Sequence, residues 1–234
     1  TNMIHQDVGI AGAPHQALKK LAHALKKTGN PAELPKQCRN ILHIKNRKKE
    51  NEPNDLYGFF LATNAIPRII FKTRETFHRK GMSGRFSETL VFMQTIQRLL
   101  GGNISDDPLL TPDIHHTGEE QNIAENNVLM AVSSLQRLIL GIRIPPSQIK
   151  QDHFHVIRLP YPYQKLLTDI FSFLRGSADA QTAIDRLRIS PEKTACIKTT
   201  APCILDGEII EPDTDGQTVL SIQNGPSLSF IILN

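Results

Sequence analysis

The C-terminal part of the sequence, from residue 195 onward, constrains the fold most strongly, because short apolar runs alternate there with turn signals. Strands are expected over 195–199, 203–210, 218–223 and 228–233. The dipeptides Asp206-Gly207 and Asn224-Gly225 favour tight turns. Strands that return through short turns pair in the antiparallel direction. This part of the chain therefore predicts an antiparallel sheet.

A helix is predicted over residues 13–29, where Pro14 suits the first helical position and Gly29 suits the C′ position. Its apolar residues recur on one face at steps of three and four. They are Ala17, Leu18, Leu21, Ala24 and Leu25. The four lysines that lie elsewhere on the helix are Lys19, Lys20, Lys26 and Lys27. Such a helix suits either a solvated face or a membrane or partner surface.

The rest of the chain mixes helices with strands. Residues 30–35 contain two prolines and are expected to form a linker, whereas 101–127 is polar and is expected to form a long loop. Further elements follow from hydrophobic periodicity. Strands are predicted over 38–45, 56–63, 128–132 and 154–159, and helices over 67–100 and 162–174, the first of them broken near 81–84.

Composition excludes several classes of protein. The chain has 234 residues, is 39% hydrophobic and carries a formal net charge of +4, which is too weak to indicate nucleic-acid binding. No apolar run approaches the roughly 20 residues of a transmembrane helix. The three cysteines lack metal-ligand or disulfide spacing and are expected to be reduced, buried thiols of a cytosolic protein. Because the sequence opens with Thr1 and not with methionine, an upstream segment is also expected.

The triplet Asp206-Gly207-Glu208 is the strongest candidate for chemistry. On a strand, Asp206 and Glu208 would project from the same face, where one could take a proton while the other helped to hold a metal ion. Glycine between them allows a phosphate or a turn to approach closely. The alternative is a plain Asp-Gly hairpin turn with no catalytic role.

Histidine clusters are weaker candidates for a metal site. Two histidines and two glutamates at 115–120 fit no standard zinc spacing and are expected to lie in a solvated loop. His153 and His155 are two residues apart and are expected on the exposed face of a half-buried strand. A metal site built on these two histidines lacks an evident third ligand.

Segments at both ends of the chain resemble one family, the bacterial diacylglycerol kinases and related lipid kinases. Thr1-Asn2-Met3 and Asp7-Val8-Gly9 look like the end of a Gly-Thr-Thr-Asn segment and the Leu-Gly after it. The Leu-Asp-Gly-Glu core at 205–208 is the most specific match. Weaker matches are Gly58-Phe59-Phe60, the 160–174 segment, 219–222, Gly225-Pro226, Leu228 and Phe230.

The resemblance implies an α+β protein in two parts. Residues 1–33 would be a remnant of an α/β nucleotide-binding domain, and 34–234 an antiparallel β-sandwich domain with several helices that receives the lipid. Asp206 would be the general base, with Glu208 close enough to assist magnesium or nucleotide. Thr1, Asn2 and Gly207 would line the nucleotide site.

The implied function is phosphorylation of a lipid hydroxyl with ATP and Mg²⁺, in a cytoplasmic protein peripheral to the membrane. A homodimer is left open, and no nucleic-acid partner or transmembrane segment is expected. The sequence departs from the family in two ways. It lacks the Gly-Gly-Asp-Gly-Thr loop, so the chain alone should be inactive. It also has the neutral Asn64 where many members carry an aspartate. The alternatives are a non-catalytic lipid or membrane-surface binding module and a kinase of a soluble substrate such as NAD.

Overall fold

Strands make up most of the chain that the computed structural model describes. The described residues are 14–46, 55–64, 67, 114–118, 122–123, 127–136, 144, 149–150, 152–160, 188–212 and 216–231. The predicted helix is confirmed as α1, Pro14–Thr28, and a 3-10 helix follows at Pro31–Glu33. Gly29 ends α1 with φ +69°, a left-handed conformation that glycine adopts without strain.

Most strands fall close to predicted positions, but β4, β5 and β8 were not predicted, and the predicted strand 56–63 is divided into β2 and β3. In chain order they are β1 Lys36–Asn46, β2 Asp55–Gly58, β3 Phe60–Asn64, β4 Ile114–Gly118, β5 Asn122–Ile123, β6 Asn127–Ser133, β7 Phe154–Pro160, β8 Ile189–Glu192, β9 Thr194–Thr199, β10 Cys203–Leu205, β11 Glu208–Ile210 and β12 Thr218–Ile231. All described pairings between them are antiparallel, as predicted.

Two six-stranded sheets pack face to face. Sheet A has the order β2-β1-β12-β9-β4-β5, and sheet B has the order β11-β10-β3-β6-β7-β8. Alternate residues of both sheets point inward and form one apolar core. Its members from sheet A are Leu42, Ile44, Ala195, Ile197, Leu220 and Ile222, and those from sheet B are Leu61, Met130, Val132, Phe154, Val156, Cys203 and Leu205. The expected α+β class with an antiparallel β-sandwich is therefore confirmed. Among the described residues, α1 is the one α-helix longer than a single residue.

Between β2 and β3, the chain crosses from sheet A to sheet B within one residue. Gly58 is the last residue of β2 and Phe60 is the first of β3, so that Phe59 forms a corner between the two sheets. Phe59 is buried in a small cluster with Ile41, Leu135 and the half-buried Phe230. Its ring centroid lies 5.7 Å from that of Phe230. This corner positions the candidate site described below.

The Asn224-Gly225 turn is the clearest wrong prediction. Both residues lie inside β12, which runs unbroken through positions 218–231 and pairs with β1. Asn40 pairs with Ser227 but Leu42 pairs with Asn224, so two residues of β12 oppose one residue of β1. This is a β-bulge, and the Cβ atom of a larger residue at Gly225 would lie 3.1 Å from the Ile41 carbonyl oxygen. Glycine serves here for a close backbone approach and not for a turn.

Several other predictions need correction or lie outside the described residues. The expected loop 101–127 contains the strands β4 and β5, because β4 extends sheet A by pairing with β9. His155 is buried with 2% exposure, not exposed as predicted. The helices expected over 67–100 and 162–174 lie outside the described residues apart from Pro67. The domain boundary at 33/34 stays a prediction.

The cysteines agree in part with expectation. All three are free, but Cys38 is exposed and Cys196 is half-buried, so the prediction of buried thiols holds for Cys203 alone. Burial raises the pKa of the Cys203 thiol to about 11, against a smaller lowering effect of a hydrogen bond with Thr63. Cys203 is therefore a protonated core residue and not a nucleophile.

Candidate functional site

Asp206 and Gly207 form the two-residue turn between β10 and β11. Their φ angles are +51° and +102°, and Leu205 pairs with Glu208 across the turn. Two central residues with positive φ are the mark of the type I′ hairpin, for which Asp-Gly is a preferred sequence. The Asp-Gly hairpin turn that the sequence offered is thus present, and Asp206 lies in the turn while Glu208 begins β11. They do not share one strand face as first expected.

The Asp206 carboxylate reaches the corner where the chain changes sheets. Its Oδ2 accepts a hydrogen bond from the Phe59 N–H at 2.9 Å, and its Oδ1 accepts one from the Phe60 N–H at 3.0 Å. The Asp206 N–H donates in return to the Phe60 carbonyl oxygen at 2.9 Å. Because hydrogen bonds to a charged acceptor are stronger than neutral ones, this three-bond contact fixes the turn to the corner.

The other side of the corner is held as well. The Phe59 carbonyl oxygen accepts a hydrogen bond from the Ser134 N–H at 3.1 Å, and the Ser133 hydroxyl lies 3.4 Å from it. Both backbone polar groups of Phe59 are therefore satisfied although the residue is buried. The corner has little freedom to move, and the Asp206 side chain that it holds is equally fixed.

Gly58 makes the approach of the Asp206 turn sterically feasible. A Cβ atom at this position would lie 2.5 Å from Leu205 Cδ1 and 2.8 Å from Asp206 Oδ2. Both distances are shorter than real Cβ contacts, so a larger residue would force the Leu205 or Asp206 side chain to shift. The absence of a side chain at Gly58 thus leaves room for the Asp206 carboxylate in its contact with Phe59 and Phe60.

The electrostatics of Asp206 differ from those of a surface carboxylate. Desolvation raises the pKa of Asp206 above its ordinary value, and the negative charge of Glu208 raises it further. The hydrogen bonds from Phe59 and Phe60 oppose this rise but do not cancel it. A carboxylate with a raised pKa accepts a proton more readily than an ordinary one. Asp206 is thus an oriented carboxylate with a raised pKa, and the residue is exposed.

The described part of the site does not by itself form a metal centre. Among the described residues, no group of three His, Cys, Asp or Glu side chains could hold a metal ion. Glu208 is exposed beside Asp206 and is free to face a ligand from outside the sandwich. Thr1 and Asn2, expected to line a nucleotide site, lie outside the described residues.

Asn64, the residue that departs from the family pattern, lies at the other end of β3. It is fully buried with φ +66°, and its Nδ2 donates to the Asn127 carbonyl oxygen at 2.9 Å. The side chain ties the end of β3 to the start of β6. Asn64 is separated from the Asp206 corner by the length of β3, about 13 Å. The presence of asparagine instead of aspartate at position 64 therefore does not alter the surroundings of Asp206 and Glu208.

Sequence reasoning did not assign Gly58, Phe59 and Phe60 to the site. These residues are 146 or more positions away from Asp206 in the chain, and local patterns carry no signal of such contacts. The glycine inside the predicted strand 56–63 was the one available hint, because isolated glycines in strands mark a close approach of other backbone.

Comparisons with known proteins agree with this fold. No protein-family profile matches the sequence, and no curated protein does. The structure is similar to two solved structures of putative diacylglycerol kinases from Bacillus anthracis, with TM-scores of 0.54 and 0.51 at 13% and 14% sequence identity. Each alignment covers 98% of this chain.

The chain has the fold of these diacylglycerol kinases. It spans 64% and 65% of the length of the two structures, so about a third of each has no counterpart in this chain. The resemblance seen in the Leu-Asp-Gly-Glu segment is therefore matched by a diacylglycerol kinase fold across the chain. At such low identity the likeness shows the fold alone, and the residues must carry the argument for activity.

Proposed function

We propose that this chain is the lipid-substrate part of an ATP- and magnesium-dependent lipid kinase of the diacylglycerol kinase type. The observation that carries the proposal is the Asp206 carboxylate, which is fixed at the corner between the two sheets and has a raised pKa. On a diacylglycerol kinase fold, an oriented and exposed base suits removal of a proton from a lipid hydroxyl.

In this scheme the roles divide between two parts of the complete protein. Asp206 takes the proton of the lipid hydroxyl as the hydroxyl oxygen bonds to the terminal phosphorus of ATP, whose bond to the bridging oxygen breaks so that ADP leaves. Glu208 assists beside it. ATP and magnesium are held by a nucleotide-binding part, to which Thr1, Asn2 and Gly207 contribute. Phosphoryl transfer depends on bound phosphates and metal ions. Because this sequence lacks the Gly-Gly-Asp-Gly-Thr loop, the chain alone is expected to be inactive.

The helix α1 supports a location at the membrane surface in the cytoplasm. It carries four lysines and no acidic residue, and Leu18 on its apolar face is 66% exposed. A basic helix with an exposed apolar face suits an anionic lipid surface. No helix of the described residues is long and apolar enough to cross a membrane. No feature of the described residues favours a homodimer.

The same helix favours a second candidate function, a non-catalytic module that binds lipid or a membrane surface. Such a module would need the fold and α1 but neither the Asp206 base nor a nucleotide. It would bind lipid vesicles without transferring phosphate.

A transfer assay separates these functions. The full-length protein is incubated with ATP labelled in its terminal phosphate and either diacylglycerol in mixed micelles or a soluble acceptor such as NAD. We expect labelled phospholipid, no labelled soluble product, and no transfer by residues 1–234 alone. Lipid binding without transfer would support the non-catalytic module, and transfer to NAD alone would contradict a lipid substrate.

A further inference from the structure

The peptide group between Phe59 and Phe60 joins the Asp206 carboxylate to the end of β6. The carbonyl of Phe59 and the N–H of Phe60 belong to this one group. Its N–H donates to Asp206 Oδ1 at 3.0 Å, and its carbonyl oxygen accepts from the Ser134 N–H at 3.1 Å. Hydrogen bonds in such a chain polarise one another and become stronger. A donor at the Phe59 carbonyl oxygen therefore makes the Phe60 N–H a better donor to the carboxylate.

Ser133 shapes the segment that supplies this donor. It is the last residue of β6 and is fully buried. Its hydroxyl oxygen accepts a hydrogen bond from the Leu135 N–H at 3.1 Å, which closes a local turn around Ser134. The same hydroxyl donates its one proton to the Phe59 carbonyl oxygen at 3.4 Å, a longer contact than that of the Ser134 N–H. Ser133 thus both forms the turn and adds a second donor at the Phe59 carbonyl.

Arg39 holds the other end of this segment from sheet A. The residue lies on β1 and is buried with 8% exposure. Its Nη2 donates to Gln136 Oε1 at 3.1 Å, and its Nη1 donates to the Cys38 carbonyl oxygen at 3.0 Å. Between the two ends, Leu135 packs in the same apolar cluster as Phe59. The segment after β6 is therefore fixed by a local turn at one end and by a guanidinium group at the other.

We propose that Ser133 and Arg39 are positioning residues for the Asp206 carboxylate, which they reach through the peptide group between Phe59 and Phe60. They keep the Phe60 N–H directed at the carboxylate and strengthen it as a donor. The value of this positioning for catalysis rests on the proposed function, in which Asp206 is the base. The positioning itself is a property of the fold and can be measured without turnover.

The charge state of Asp206 links this positioning to the chemistry. Desolvation raises the pKa of Asp206, and the hydrogen bonds from Phe59 and Phe60 oppose that rise, since they favour the charged form. A weaker Phe60 donor stabilises the carboxylate less. Loss of the Ser133 hydroxyl or of the Arg39 guanidinium should therefore raise the pKa of Asp206 still further, and the acid limb of kcat/KM should move to higher pH.

The test follows the carboxyl titration of Asp206 by NMR in Ser133→Ala and Arg39→Met variants of the full-length protein. We expect the titration of Asp206 to move to higher pH in both. Hydrogen exchange at the Phe60 amide should become about fivefold faster in Ser133→Ala, the factor that loss of one ordinary hydrogen bond produces. In a protein that already carries Asp206→Asn, Ser133→Ala should not lower turnover further, because its effect passes through the Asp206 carboxylate.

Thr199→Val is the matched control for a loss of stability alone. Thr199 is also buried at the end of a strand, and its Oγ1 accepts from the Ala201 N–H two residues ahead at 3.0 Å. The variant loses the same kind of local bond on β9 of sheet A, so it should lower stability and leave the titration of Asp206 in place. Ser133→Thr keeps the hydroxyl but adds a methyl group at a closely packed position. It should lower stability and keep the wild-type titration.

The outcomes separate positioning from the proposed function. A wild-type titration of Asp206 in both Ser133→Ala and Arg39→Met would overturn the positioning role, and so would an equal shift in Thr199→Val. A titration that moves to higher pH while the pH profile of turnover stays in place would support the positioning role and count against Asp206 as the base.

Discussion

Asp206→Asn in the full-length protein should lower turnover of lipid by about 10²- to 10⁴-fold, the usual contribution of a general base, while ATP still binds. The amide cannot take the hydroxyl proton, because it lacks the negative charge and the raised pKa of Asp206. Turnover is measured by transfer of labelled phosphate to the lipid, and ATP affinity by calorimetric titration. Near-normal turnover would contradict the assignment of Asp206 as the base.

Glu208→Gln is the matched control for this variant, because it makes the same change of carboxylate to amide two residues away at an exposed position. We expect it to keep a larger share of turnover, since Glu208 assists in the scheme and Asp206 remains. The Asp206→Asn variant also loses part of the hydrogen bonding between residue 206 and the amides of Phe59 and Phe60. Its stability must therefore be measured beside its turnover, and the loss of turnover should exceed what unfolding explains.

Gly58→Ala should destabilise the protein by about 1–3 kcal/mol, as is usual for an extra methyl group in a close-packed position. The new Cβ atom would clash with Leu205 Cδ1 at 2.5 Å and with Asp206 Oδ2 at 2.8 Å. The Leu205 or Asp206 side chain must then shift, which disturbs the contact of the carboxylate with the corner. We expect a lower midpoint in denaturant and faster hydrogen exchange at the Phe59 and Phe60 amides, which lose their carboxylate acceptor.

Gly29→Ala is the control for the conformational cost of replacing a glycine. Gly29 has φ +69° and open space around its Cα, so alanine there costs about 1–2 kcal/mol of backbone strain and meets no steric clash. A Gly58→Ala cost no larger than this, with unchanged exchange at Phe59 and Phe60, would show that the corner does not need the close approach. Gly58→Ala also tests whether turnover depends on the position of the Asp206 carboxylate, since the base itself is kept.

Elements defined by local patterns could be predicted from the sequence. The periodicity and end signals of α1 are local, and so is the preference of Asp206-Gly207 for a tight turn. Asn224-Gly225 carries an equally strong local signal but lies in a bulge of β12. There the pairing with β1, more than 180 positions earlier, overrides it. Propensity is a weak guide wherever a long-range ladder supplies the hydrogen bonds.

The candidate site also depends on contacts between residues that are far apart in the chain, which local sequence patterns do not reveal. The sequence singled out Asp206 and Glu208, but the groups that orient Asp206 are the backbone amides of Phe59 and Phe60. Backbone groups have no residue-specific signature, and the contact exists because the chain changes sheets at Phe59.

The pH dependence of kcat/KM tests the central claim, that Asp206 is the base of a lipid kinase, most directly. The acid limb of this profile reports the pKa of the base in the free enzyme. Because the charge of Glu208 raises the pKa of Asp206, Glu208→Gln should lower that pKa and move the acid limb to lower pH. The carboxyl titration of Asp206, followed by NMR, should move with it. An acid limb that stays in place while the titration of Asp206 shifts would show that another group is the base.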